Sequence, residues 1–158
     1  MKRRAITVTL VVGSLAAGLF AGCASGDKKM AGSGDVIADR QQLMKRQGQA
    51  MTDINAKLRA GNVEGVAADA DVLVSTARQI PKLFPAGSTS PKSRAKPEIW
   101  QKKSEFDGYA KSLEDQAKKV AGLSRAKDLA GTQAAVTELG RTACGACHNA
   151  FRGPEIKS

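Results

Sequence analysis

The stretch CGACHNAFR, residues 144–152, decides how this chain is read. Cys144, Cys147 and His148 sit at i, i+3 and i+4, and on a helix those positions share one face. His148 is the only histidine in the chain. Two thiols three residues apart can each add to a vinyl group of one haem. The imidazole that follows then lies under the iron as proximal ligand. Cys-x-x-Cys-His is the attachment signature for such a covalent haem c. Other uses of the motif fit less well. Zinc wants four ligands, and the remaining cysteine, Cys23, lies far away near the N-terminus. A redox dithiol belongs beside a strand–helix unit, and no segment here alternates with period two.

Outward from the motif, the preceding residues read as its helix. It runs from about Lys127 to Phe151, with Leu129, Val136, Leu139 and Ala143 on the inward face. Three more helical stretches come before it. The first covers about Asp35 to Ala60, where Ile37, Met44, Met51 and Leu58 recur every seven residues with Leu43 and Ile54 beside them. Gly61 ends it and Asn62 can cap the next. The second covers about Val63 to Ile80, with Val66, Ala70, Leu73, Ala77 and Ile80 inward, and is broken by Pro81 and Pro85. A loop rich in Gly, Ser and Pro spans Pro85 to Lys96. The third runs from Pro97 to Leu123 through Trp100, Phe106, Tyr109, Leu113 and Val120. Short links between long amphipathic helices predict an all-α, up-down antiparallel four-helix bundle. Its core is rich in Ala, and a large apolar cofactor would fill that deficit.

The N-terminus is different in kind. Met1-Lys2-Arg3-Arg4 precedes an apolar run from Ala5 to Phe20, which is the pattern of an export signal over residues 1–22. The run is too short for a comfortable membrane span. Small residues before Cys23 resemble a bacterial lipobox, in which Cys23 is lipidated and tethers the protein to a membrane. Cleavage behind Ala24 is the alternative. Residues 23–34 then read as a flexible tether, and residues 35–158 as the folded domain. Export suits a haem attached outside the cytoplasm, and places the protein in the periplasm. The three cysteines are all accounted for without a disulfide framework.

The net charge of +10 falls to +7 once Lys2, Arg3 and Arg4 are removed. A basic surface favours acidic partner proteins or lipid headgroups. No nucleic-acid motif is present, and aromatic residues make up only 4% of the chain, too few for base stacking.

Taken together, IADRQQLM in the first helix, RAKPEIW entering the third and CGACHNAFR closing the fourth resemble cytochrome c′ and its relatives, the class II c-type cytochromes. The resemblance spans about residues 35 to 153. It implies thioether bonds at Cys144 and Cys147 and proximal ligation by His148. It implies that Arg40 and Gln41 meet the haem propionates, with Arg94 and Lys96 as further candidates and Arg152 near the proximal face. Relatives are often homodimers through the first two helices.

The sixth iron position separates two functions. A second histidine is absent, so the strong-field candidate is a methionine. Met44 lies one turn after Arg40, at the position that sits over the distal face in the family; Met51 is a heptad further on. Ligation by Met44 and His148 gives a low-spin electron-transfer cytochrome. If Met44 is only a packing residue, the haem is five-coordinate and binds nitric oxide or carbon monoxide. Enzymatic chemistry is not expected, because no distal histidine is available as acid or base.

Overall fold

The computed structural model describes residues 34–156. The predicted signal and Cys23 lie outside them. Within them the chain is helical, and its one β-type pairing is an isolated bridge between Ala95 and Arg152.

Helix α1 runs Val36–Arg59. Asp35 caps it, accepting from Ile37 N at 2.9 Å and Ala38 N at 3.3 Å, which satisfies two of the orphan donors of the first turn. It ends where Gly61 adopts φ +73° and Asn62 N returns to Lys57 O at 2.9 Å, a left-handed exit that glycine adopts at no steric cost. Asn62 does act as a cap, but for the turn before α2: its Oδ1 accepts from Gly65 N at 3.0 Å. Helix α2 is therefore shorter than expected, Val66–Ala77. A 3₁₀ turn, Ile80–Leu83, follows it. Pro81 lacks an N–H and disfavours helical backbone in the residue before it, so the helix has ended by Ile80.

The third helix is in two pieces, α3 (Glu98–Gln101) and α4 (Lys103–Arg125), separated by Lys102 at φ −117°, ψ +46°. The entering turn is held from outside. Trp100 Nε1 donates to Pro85 O at 2.7 Å, and Lys96 N donates to Phe151 O at 3.0 Å. The fourth helix begins two residues late, because Lys127 is left-handed (φ +60°) and Asp128 is the cap, accepting from Gly131 N at 2.8 Å. It then runs as α5 (Leu129–Glu138), a π-helical stretch (Leu139–Gly145) and α6 (Ala146–Phe151).

The four long segments form the expected four-helix bundle. Helix α2 packs on both α1 and α4, and α4 packs on the α5–α6 segment. Alanines make the α2–α4 approach close: Ala67, Ala70 and Ala77 on one side, Ala110, Ala117 and Ala121 on the other, all buried. The centre is closed by Leu43, Ile54, Leu73, Ile99 and Leu139, each 2% exposed or less. Two sequence expectations shift. Met44 and Met51 are only half-buried, while Leu43, Ala50 and Ile54 form the fully buried face of α1. Leu129 is 40% exposed, because the helix starts there and its first turn projects past the packed region.

Candidate functional site

Between α1, α4 and the 139–151 segment the bundle is open. A cavity of about 770 Å³ lies there, in the size range of cofactor pockets. Its walls are mainly apolar: Ile80, Phe84, Ile99, Phe106, Tyr109 and Leu113. Cys144, Cys147, His148, Met44, Met51, Arg40, Gln41, Arg94 and Arg152 all line the same space. Residues expected from the sequence to act together are thus brought together from three separate segments. Lys96 is the exception. Its Nζ reaches Asn149 O and Ala150 O, both at 3.3 Å, where a cation suits the C-terminal end of a helix.

The motif sits at a change of helical geometry. Cys144 belongs to the π-helical stretch and Cys147 and His148 to α6. The wider turn leaves little room inside: a Cβ on Gly145 would meet Gly140 O at 3.3 Å. Such π segments recur at functional sites because they re-aim side chains that an unbroken α-helix would direct elsewhere. Burial raises the pKa of the Cys144 thiol. Burial, reinforced by Cys144, pushes Cys147 up to about 11. Before haem is attached, burial thus favours the thiol over the thiolate form of both. His148 is exposed at the rim, yet partial desolvation, with the Arg152 and Arg94 charges nearby, lowers its pKa below the ordinary value. The imidazole is thus favoured in its neutral form, the form that binds a metal.

Arg40 is 4% exposed and is committed to the loop that follows the 3₁₀ turn. Its Nε donates to Leu83 O, Nη1 to Ser88 O at 2.8 Å and Nη2 to Ser88 Oγ. The Phe84 ring lies under the guanidinium with its centroid 4.2 Å away, a cation–π contact. Gln41 holds the same loop, donating to Lys92 O at 3.0 Å. Three of the five guanidinium N–H groups are used, and two remain. Arg94 donates to Gly153 O at 2.9 Å and lies 3.7 Å from Glu155.

Some of the lining was not anticipated. Tyr109 and Leu113 were legible as inward positions of the third helix. Phe84, Lys92, Glu155 and Ile156 carry no periodic signal, since they lie in the loop and the tail that the tertiary fold lays along the opening.

The residues present fit a haem. The cavity is large and mostly apolar, both thiols and an imidazole line it, and cations line its mouth for carboxylates. No three His, Cys, Asp or Glu side chains cluster to hold a metal ion among the described residues, which leaves a zinc site without its ligands.

Such a site in such a bundle defines a c-type cytochrome with its haem on the C-terminal helix. Residues 35–152 match the sequence profile described as Cytochrome C′, and the chain belongs to the cytochrome c′ family. It is 34% identical over 119 residues to cytochrome c-556 of Agrobacterium tumefaciens, covering 73% of this chain and 95% of that protein. The crystal structure of cytochrome c′ from Thermochromatium tepidum superposes with a TM-score of 0.68 at 27% identity, over 75% of this chain and 95% of that one. A second cytochrome c′, described for ligand-controlled dimer dissociation, gives 0.70 at 26%, over 75% and 95%. As a member of the family the protein carries one covalently bound haem c with its iron.

Proposed function

We propose that this protein is a periplasmic electron-transfer cytochrome in which His148 and Met44 would bind the haem iron. The observation that carries the reading is that Met44 and His148 line one cavity together with both attachment cysteines. Met51 lines it too. The methyl carbon of Met51, however, is 4.0 Å from where a Cβ on Gly140 would stand. That packs it against the start of the π stretch and favours Met44 as the ligand.

Bound haem supplies a one-electron iron couple, whose potential His/Met ligation raises. The chain's own residues do the rest. Cys144 and Cys147 each form one thioether, which fixes position and orientation. His148 offers a neutral nitrogen. The apolar wall of Phe84, Phe106, Tyr109 and Leu113 excludes water. Arg40, through its two remaining N–H groups, Gln41 and Arg94 face the propionates. The export signal delivers the protein to the periplasm, and Cys23 anchors it to a membrane through a lipid. Self-association, as in the relative with ligand-controlled dimer dissociation, is part of the same proposal.

The test is the optical spectrum of the reduced protein before and after carbon monoxide. Sharp, split α and β bands with little reaction are expected, and Met44→Ala turns the spectrum high-spin and creates carbon monoxide affinity. A broad spectrum in the wild type that shifts at once on adding the gas would make Met44 a packing residue and the protein a five-coordinate gas binder.

A further inference from the structure

The cavity mouth carries unbalanced charge. Arg40, Lys45, Lys92, Arg94 and Arg152 line it, against one carboxylate, Glu155. Arg40 and Arg94 are turned inward and hydrogen-bonded. Lys45, Lys92 and Arg152 are exposed, and none of the three has an ion-pair partner among the described residues; Arg94 with Glu155 is the ion pair at the mouth.

The flank of the bundle is built the other way. On α4, Lys103, Lys111 and Lys118 each meet a carboxylate one turn away. Arg78 meets Glu114, Arg125 meets Asp71 and Lys57 meets Asp69. These flank cations are neutralised locally. Arg59, Lys82 and Lys119 also lack an ion-pair partner among the described residues, but none of them lines the opening. Lys45, Lys92 and Arg152 are gathered around one opening, where a field steers an approaching partner most effectively.

The rim is held in place by backbone bonds. Gln41 fixes the Lys92 carbonyl, and Lys45 follows Gln41 by one turn of α1. Gly153 N donates to Arg94 O at 2.7 Å beside the Ala95–Arg152 bridge. Three distant segments thus present their charges on one surface. Two propionates bound at the mouth would engage the inward-facing Arg40 and Arg94 and leave the three outer cations free.

We propose that this rim is the docking surface for an acidic one-electron redox protein, whose carboxylates meet Lys45, Lys92 and Arg152. One electron then passes between the proteins; no bond forms or breaks and no proton moves. The electron transfer rests on the function proposed above, whereas the charge recognition does not. The three cations come from three segments spaced around one opening, which suits separated carboxylates on a protein surface.

The experiment uses the reduced holoprotein, oxidised in stopped flow by anionic hexacyanoferrate(III) or cationic tris(phenanthroline)cobalt(III). The rim variant is Lys45→Glu with Lys92→Glu; the flank variant is Lys111→Glu with Lys119→Glu, the same change in net charge. The rim variant slows the anionic oxidant about tenfold at low ionic strength, speeds the cationic one, and loses both effects in high salt. The flank variant stays near wild type. Equal effects of the two variants would overturn the proposal, because net charge alone would explain them. Amide shifts on adding polyglutamate to the labelled holoprotein are expected within 41–48, 90–95 and 150–155; shifts spread along α4 would sink it. Loss of sedimentation with phosphatidylglycerol vesicles in the rim variant, with hexacyanoferrate rates unchanged, would assign the surface to lipid instead. Optical spectra of all variants accompany the rates. A high-spin spectrum removes Met44 ligation but leaves the charge comparison readable, so the two readings fail separately.

Discussion

Arg40 shows how one residue can serve a fold and a site together. As a letter in the sequence it is a helix cation, and only the resemblance pointed it at a propionate. In the folded chain its fork is spread over Leu83 O, Ser88 O and Ser88 Oγ, with Phe84 stacked below. A lysine there would keep the charge and lose the planar, multi-donor geometry. Arg40→Lys is therefore expected to destabilise the holoprotein by about 1–3 kcal/mol, the scale of leaving buried acceptors unpaired. Denaturant unfolding reads it. Unchanged stability would mean that the loop from Leu83 to Ser88 is held by something other than this side chain.

At the scale of elements, α1 and the 139–151 segment form two walls of the cavity. Helix α1 presents Arg40, Gln41, Met44 and Met51 in register only if its first turn is formed, and Asp35 secures that turn. Asp35→Ala is expected to cost about 1 kcal/mol, read as a fall in unfolding midpoint with the haem spectrum intact. The opposite wall depends on aromatic packing. Phe106 meets Phe84 edge-on at 4.7 Å and Phe151 at 5.4 Å, tying α4 to the 3₁₀ loop and to α6. Phe106→Ala should cost about 3–5 kcal/mol, and it would loosen the helix that carries Cys147 and His148. A loss much below that in thermal unfolding would mean that the cavity wall does not support the bundle.

Across the whole molecule, surface charge does two jobs. On the flank it is paired, as at Glu114, where the Lys118 and Arg78 hydrogen bonds lower the carboxyl pKa from 4.5 to about 2. A depressed carboxylate pKa stabilises the fold fully above the unfolded value. The contribution fades as pH falls below about 4.5 toward 2, because the unfolded chain then binds the proton more readily. Glu114→Gln is expected to flatten the acid limb of the stability curve over that window and to leave stability differences constant near neutrality. A curve parallel to wild type through the window would exclude the pair as a stabilising feature. At the mouth Lys45, Lys92 and Arg152 have no ion-pair partner among the described residues.

Much of this was legible in the chain itself. Cys144, Cys147 and His148 announce the cofactor because covalent chemistry demands fixed residue types at fixed spacing. The inward positions Leu73, Ala77, Leu113 and Val120 follow from helical periodicity, since burial of apolar surface selects one face. Other features depend on contacts distant in sequence. The break at Lys102 and the π turn around Cys144 have no local signature; they arise where Trp100 is tied to Pro85, and where two glycines five residues apart admit a wider turn. The commitment of Arg40 and Gln41 to the loop, and the gathering of Lys45, Lys92 and Arg152 around one opening, exist only once three segments converge. Periodicity and motif spacing record what each segment buries and attaches. Which charges remain uncompensated is decided by their neighbours in space, and only the tertiary structure supplies those.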